Sequence, residues 1–252
     1  MNNPSEKVAI ITGAGTGIGE ATTLEFFQYG YNVVLAGRRP DKLNSVIDKL
    51  PPQPNKALAI PTDVADPSSV KNLFVQTKKI FSRVDILFNN AGISLGGAID
   101  EIQPEDWIKA VNINLNGMFF CTQEAFRLMK NQNPKGGRII NNGSISASAP
   151  RPNSAPYTAT KHAVTGLTKS TSLDGRQFDI ACSQIDIGNA MTPLAARMAK
   201  GVPQADGSIR AEPMMDAKKV GEAVLHMTKL PLDTNIQFMT IMATKMPFIG
   251  RG

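Results

Sequence analysis

The segment VAIITGAGTGIGEATTLEFF, residues 8–27, decides how the whole chain is read. Val8, Ala9, Ile10 and Ile11 form an unbroken apolar run, the pattern of a strand buried on both faces of a parallel sheet. Gly13, Gly15, Gly17 and Gly19 follow at every second position. Ile18, Ala21, Leu24 and Phe27 then recur at helical spacing, so the glycine turn opens into a helix. Glycine admits positive φ and removes the Cβ that would hold a phosphate at a distance. A helix N-terminus aimed at such a turn offers N–H groups and the positive end of a dipole, which suit a pyrophosphate. A turn that merely joins a strand to a helix would also carry glycines, so the decision falls to the rest of the chain.

The chain of 252 residues is long enough for a single α/β domain, 1–252, with a substantial core. Hydrophobic residues make up 42% and charged residues 19%, an ordinary globular balance. No apolar run reaches the ~20 residues that span a bilayer. The start, MNNPSEK, has no apolar signal core, and a cytoplasmic protein without membrane contact is expected. Cys121 and Cys182 are far apart, so neither a metal site nor a disulfide framework is expected. The net charge of +6 is spread without a basic run or interleaved aromatics. No nucleic-acid partner is expected, and a few of the positives are reserved for a phosphorylated ligand.

Beyond residue 27, short apolar runs alternate with amphipathic stretches. Strands are expected at 32–36, 57–60, 84–88, 138–142, 180–187 and 237–241, with helices at 43–50, 67–77, 104–129 and 155–173 between them. Alternation of this kind calls for a Rossmann-type, doubly wound parallel sheet of about seven strands with helices on both faces. In such a sheet the end of the second strand reaches the adenosine ribose. An acidic residue there would accept from the 2′-hydroxyl. This chain places Arg38 and Arg39 there instead, and guanidinium groups suit a 2′-phosphate, which favours NADP(H) over NAD(H). Asp66-Pro67 gives an N-cap and a first-turn proline. Three asparagines, Asn112, Asn114 and Asn116, lie inside the 104–129 helix against their propensity, so at least one needs a compensating partner.

Thr12-Gly13-x-x-x-Gly17-x-Gly19, Asn90-Ala91-Gly92, Asn114 three residues before Gly117, Ser144, and Tyr157-x-x-x-Lys161 occur in this order. Tyr157 lies thirteen residues after Ser144. The set resembles the short-chain dehydrogenase/reductase family over roughly residues 7–245. The resemblance implies a catalytic group of Asn114, Ser144, Tyr157 and Lys161. It implies cofactor contacts at Gly13, Thr16, Gly17, Ile18, Gly19, Arg38, Arg39, Asp63, Val64, Asn90, Ala91, Gly92, Tyr157, Lys161, Gly188 and Thr192. Asp63 would meet the adenine amino group, and Asn114 would hold a water linking Lys161 to solvent. Ser146 competes with Ser144, and Asn112 with Asn114 should the register differ. His162 points about 100° away from Lys161 on the helix, and both it and His226 read as surface or packing residues.

A free tyrosine ionises near pH 10, and a neighbouring ammonium favours its phenolate. Lys161, four residues on, shares a helix face with Tyr157. The expected activity is therefore hydride transfer between NADP(H), with NAD(H) as the alternate, and a small, partly apolar carbonyl or alcohol substrate. A non-catalytic NADP(H) sensor on the same fold is the other reading. The resemblance weakens after the sixth strand, where Ile187 stands in the place of the family's proline before Gly188. Residues 190–216, which carry Met191, Met198, Met214 and Met215, are expected to form either a substrate-covering insertion or an interface segment. The tail residues Met246, Pro247, Phe248 and Ile249 are expected to dock on the body or on a further subunit of a dimer or tetramer.

Overall fold

The structure, a computed structural model, describes residues 7–193, 195 and 201–249. The first half of the chain forms β1 (Val8–Thr12), α1 (Gly17–Tyr29), β2 (Asn32–Gly37), α2 (Pro40–Ile47), β3 (Ala57–Pro61), α3 (Pro67–Phe81) and β4 (Ile86–Asn89). Next come α4 (Pro104–Val111), α5 (Gly117–Asn131), β5 (Gly137–Asn142), α6 (Ala155–Gly175) and β6 (Ile180–Ile187). Four two-residue strands, β7 (Ala190–Met191), β8 (Val202–Pro203), β9 (Ile209–Arg210) and β10 (Met215–Asp216), precede α7 (Ala217–Thr228) and β11 (Phe238–Ile241).

Seven strands pair in the order β11-β6-β5-β4-β1-β2-β3, all parallel. The order reverses between β1 and β4, and the crevice outside their carboxyl ends is where ligands of such sheets sit. The strand register explains the burial of both faces. Ala9 and Ile11 of β1 point to one side, where they join Phe26, Phe27, Val33, Leu35, Val220 and Val224 under α1 and α7. Val8 and Ile10 point to the other, where Leu73, Phe74, Leu87, Cys121 and Met129 lie under α3 and α5. Each Val, Leu, Ile, Phe or Met among them stabilises the fold by about 1.5–3 kcal/mol relative to exposure.

Local chemistry ends the elements where the sequence indicates. Gly30 stops α1 at φ 108°, its N–H donating to Phe26 and Phe27 carbonyls. The Asp66 carboxylate caps α3 by accepting the Ser68 N–H at 2.9 Å. One expectation changes form. The helix expected over 104–129 is interrupted by a π-helical turn, Asn112–Asn116, between α4 and α5. A second feature carried no signal in the sequence. Arg138 on β5 is 2% exposed, donating to Asn235 Oδ1 at 2.6 Å and to the carbonyls of Pro231 and Thr234. It anchors the connection that leads from α7 into β11. No helix among the described residues is long and apolar enough to cross a membrane.

Candidate active site

At the switch point the ends of three strands are joined by side chains. Asn90, just past β4, donates from Nδ2 to the Thr12 carbonyl at 2.9 Å and accepts from Asn142 Nδ2 at 2.9 Å. The Thr12 hydroxyl accepts the N–H groups of Asn90 and Ala91 at 2.9 and 3.0 Å. Asn90 thus links β1 through β4 to β5. Gly13 and Gly17 adopt φ of 65° and 60°, and a Cβ on Gly19 would lie 2.2 Å from the Gly13 carbonyl oxygen. Thr16 precedes α1 without capping it through its side chain, which leaves the first helical N–H groups facing the cleft.

That cleft has a volume of about 520 Å³, within the usual range for ligand sites. Its walls include Gly13, Thr16, Gly17, Ile18, Arg38, Arg39, Asp63, Val64, Asn90, Ala91, Gly92, Ser144, Tyr157, Lys161, Gly188 and Thr192. Arg38 and Arg39 are exposed and form no ion pair among the described residues. Lys42, one turn into α2, adds a cation to the same end. Asp63 also serves the turn after β3, accepting the Ala65 N–H at 3.0 Å while its own N–H donates to Ser69.

Tyr157 and Lys161 share one face of α6, with Lys161 Nζ 5.5 Å from the centre of the phenol ring. The ammonium is buried and donates to the Asn142 carbonyl at 2.6 Å. Ser144 is buried, and its Oγ accepts the Ser146 N–H at 3.1 Å. This contact leaves the Ser144 proton available to donate into the cleft. Ser146 also lines the cleft. Ser144's own N–H donates to Asp186 Oδ1 at 2.9 Å, and Gln184 Nε2 donates to the same oxygen at 2.8 Å. Burial raises the Asp186 carboxyl above the ordinary carboxylate range, against the opposing pull of Gln184, Ser144 and the Lys161 charge. A Cβ on Gly143 would stand 2.1 Å from that carboxylate, so glycine is required for Asp186 to reach Ser144.

Asn114 and Gly19 lie behind the wall rather than on it. The Asn114 amide accepts the Ile93 N–H at 2.8 Å, donates to the Ile93 carbonyl at 3.0 Å and reaches Thr160 Oγ1 at 3.3 Å. Asn112 and Asn116 pair with each other. Of the three, Asn114 is the one bonded to Ile93, whose backbone lies on the cleft wall. His162 and His226 are both exposed, and His162 Nδ1 lies 2.9 Å from the Thr158 carbonyl.

After Ile187 the backbone is held from β11 and the stretch that follows it. Gly188 N–H donates to the Ile241 carbonyl at 2.8 Å, and Asn189 N–H meets Met246 Sδ at 3.2 Å. Met246 is buried there, whereas Ile249 is 92% exposed, which leaves for that residue only the second of the two expected places, a further subunit. Of the methionines in 190–216, Met198 lies outside the described residues. Met191, Met214 and Met215 do not line the cleft, and Met215 packs on the core. The segment's cleft residues are instead the compact Ala190, Thr192, Pro193 and Ala195. Thr192 closes over the glycine turn, within 3.1 Å of where a Gly17 Cβ would stand.

Arg151, Asn189 and Asp186 had not stood out in the sequence. Arg151 meets Asn189 and Glu212 across 38 and 61 residues, and Asp186 meets Ser144 across 42, beyond the reach of any local spacing.

Comparison with known proteins covers most of the chain. A model of the short chain dehydrogenase family matches residues 7–202. The chain is 32% identical over 213 residues to a 3beta-hydroxysteroid dehydrogenase of Mediterraneibacter gnavus, covering 84% of this chain and 76% of the relative. Among solved structures it resembles the 3-ketoacyl-(acyl-carrier-protein) reductase of Brucella melitensis, complexed with NADH, at TM-score 0.84 and 25% identity. That match covers 96% of this chain and 99% of the other. It also resembles an actinorhodin polyketide ketoreductase with NADPH, at TM-score 0.85 and 25% identity over 96% and 97% of the two chains. A family match over most of the length, on a seven-stranded parallel sheet with its cleft at the switch point, places this chain in the short-chain dehydrogenase/reductase family, as an oxidoreductase acting on CH–OH groups.

Proposed function

We propose that the protein interconverts a carbonyl and an alcohol with NADP(H) as its preferred hydride carrier, and that Tyr157 moves the proton. The carrying observation is the placement of Tyr157, Lys161 and Ser144 around one end of the cleft that begins at the glycine turn. The neighbours solved with NADH and NADPH support a nicotinamide dinucleotide in this cleft, and the exposed Arg38 and Arg39 support its 2′-phosphorylated form. When bound, such a cofactor supplies or accepts the hydride.

The protein contributes orientation, charge and the proton. In carbonyl reduction the Tyr157 hydroxyl gives its proton to the carbonyl oxygen as hydride reaches the carbon; in alcohol oxidation the phenolate takes one back. The Lys161 ammonium stabilises negative charge on the phenolic oxygen. Ser144 donates to the substrate oxygen and fixes its direction. Asn114 holds the backbone of Ile93, next to Gly92 on the cleft wall. The protein is further read as a cytoplasmic homo-oligomer. Exposed Trp107 and Ile108 on α4 and Phe119 on α5 support a dimer or tetramer, which light scattering would measure.

The decisive experiment pairs NADPH titration with a carbonyl panel on wild type and Tyr157→Phe. Wild type oxidises NADPH with at least one carbonyl, and the variant loses that turnover by ~10³-fold or more while its NADPH affinity stays within about twofold. Near-normal turnover in the variant removes Tyr157 from the mechanism. Tight NADPH binding with no oxidation across the panel favours the sensor reading.

A further inference from the structure

The reacting end of the cleft holds a charged pair that the hydride chemistry does not use. Arg151, in the loop between β5 and α6, lines the cleft with Ser144, Ser146, Tyr157 and Asn189. Its Nη2 donates to Glu212 Oε2 and, at 3.1 Å, to Asn189 Oδ1. Asn189 Nδ2 donates to the same Glu212 oxygen at 2.8 Å, and Gln204 Nε2 donates to the other at 3.1 Å. The Glu212 side chain is 2% exposed and that of Arg151 14%. One buried carboxylate thus joins the loop after β5, the turn after β6 and the stretch between β8 and β10.

A carboxylate that far from water is costly unless its charge and lone pairs are met, and among the described residues Arg151, Asn189 and Gln204 donate to it. With its oxygens engaged in this way, Glu212 has no arrangement for proton transfer to a substrate. Its effect falls on Arg151. A guanidinium on the cleft wall beside Tyr157 would otherwise attract carboxylates and phosphates, which it binds in a two-pronged geometry. A paired carboxylate offsets about half of that attraction a few ångströms away. Lys161, the other cation on this side among the described residues, is already directed at the Asn142 carbonyl.

We propose that Glu212 sets the charge preference of the substrate site: by neutralising Arg151 it makes the reacting end of the cleft a site for an uncharged carbonyl compound and turns away oxo acids and phosphorylated carbonyls. The inference rests on the carbonyl-reducing reading above and names its substrate class. Arg151 and Glu212 act as specificity determinants, touching the charge of the substrate rather than its reacting atoms.

The test uses a matched pair, ethyl benzoylformate and benzoylformate, with NADPH, together with the Ki of benzoate against whichever carbonyl the panel identifies. Wild type favours the ester. Glu212→Gln keeps the size and an acceptor oxygen but removes the negative charge. It should raise the acid-to-ester ratio of kcat/KM by roughly 10-fold or more and lower the benzoate Ki by a similar factor, with NADPH affinity unchanged. The double variant Arg151→Met with Glu212→Leu replaces the pair by apolar groups, a change that folded proteins often accept. Its ratio should stay within about threefold of wild type. A wild-type preference for the acid, parallel losses on acid and ester in Glu212→Gln, or a double variant that gains acid activity as the single one does would each overturn the proposal. Failure of wild type to reduce any carbonyl would remove the hydride-transfer reading beneath it, a result distinct from these.

Discussion

Asp186 illustrates how a single side chain can serve the site at a cost to stability. Its folded-state pKa is raised by burial, so the native protein takes up this proton at a higher pH than the unfolded chain does. Stability from this group is fully present below the unfolded value near 3.9 and is lost as pH rises through the raised folded value. Asp186→Asn keeps an Oδ1 able to accept from both Ser144 and Gln184. Its melting temperature should exceed that of wild type at pH 7, with the gap closing as pH falls toward 4. A gap independent of pH, followed by thermal denaturation from pH 4 to 8, would assign the difference to something other than ionisation. At the far end of the cleft, Arg38→Ala should raise the KM for NADPH by about 10- to 100-fold, as expected for a lost charge-assisted phosphate contact, with kcat and the KM for NADH little changed. Steady-state kinetics with both cofactors measures this. The local pairs were legible because helical geometry is local: Tyr157 and Lys161 had to share a face once α6 existed. Arg151 and Glu212 were not, since 61 residues separate them and only the completed fold brings them together.

For whole elements, the connection from α4 to α5 shows where sequence reasoning stops short. Three asparagines in a helix signalled a needed partner, and Asn114 has one in both backbone groups of Ile93. The period of the apolar residues could not show that the helix widens into a π turn there. A bulge of this kind preserves the helix direction while re-aiming a single side chain, and such bulges favour functional sites. Asn114→Leu would leave the Ile93 N–H and carbonyl without their partner. The expected loss is ~2–3 kcal/mol, seen as a fall of roughly 5–10 °C in melting temperature, together with reduced kcat. The glycine turn is less forgiving. Gly19→Ala brings a methyl to 2.2 Å from the Gly13 carbonyl, and neither backbone atom can yield without opening the turn. This variant should lose NADPH binding, as measured by titration, while the sheet's circular dichroism remains.

The architecture of the molecule was legible from alternation alone, because buried parallel strands leave continuous apolar runs and their crossovers leave amphipathic ones. How the last residues brace the cleft was not, because the Met246 contact has no periodic signature. α7 packs on α1 so closely that a Cβ on Gly221 would lie 2.9 Å from the Ala21 carbonyl. Phe26 and Phe27 share their core with Val220 and Val224. During synthesis the helix made first waits for the one made near the end, nearly 190 residues later. At ordinary elongation rates that interval is roughly 10–40 s, through which the side of α1 that α7 covers lies open. A polypeptide halted ahead of α7 is therefore a natural client for chaperones, however complete its nucleotide-facing loops.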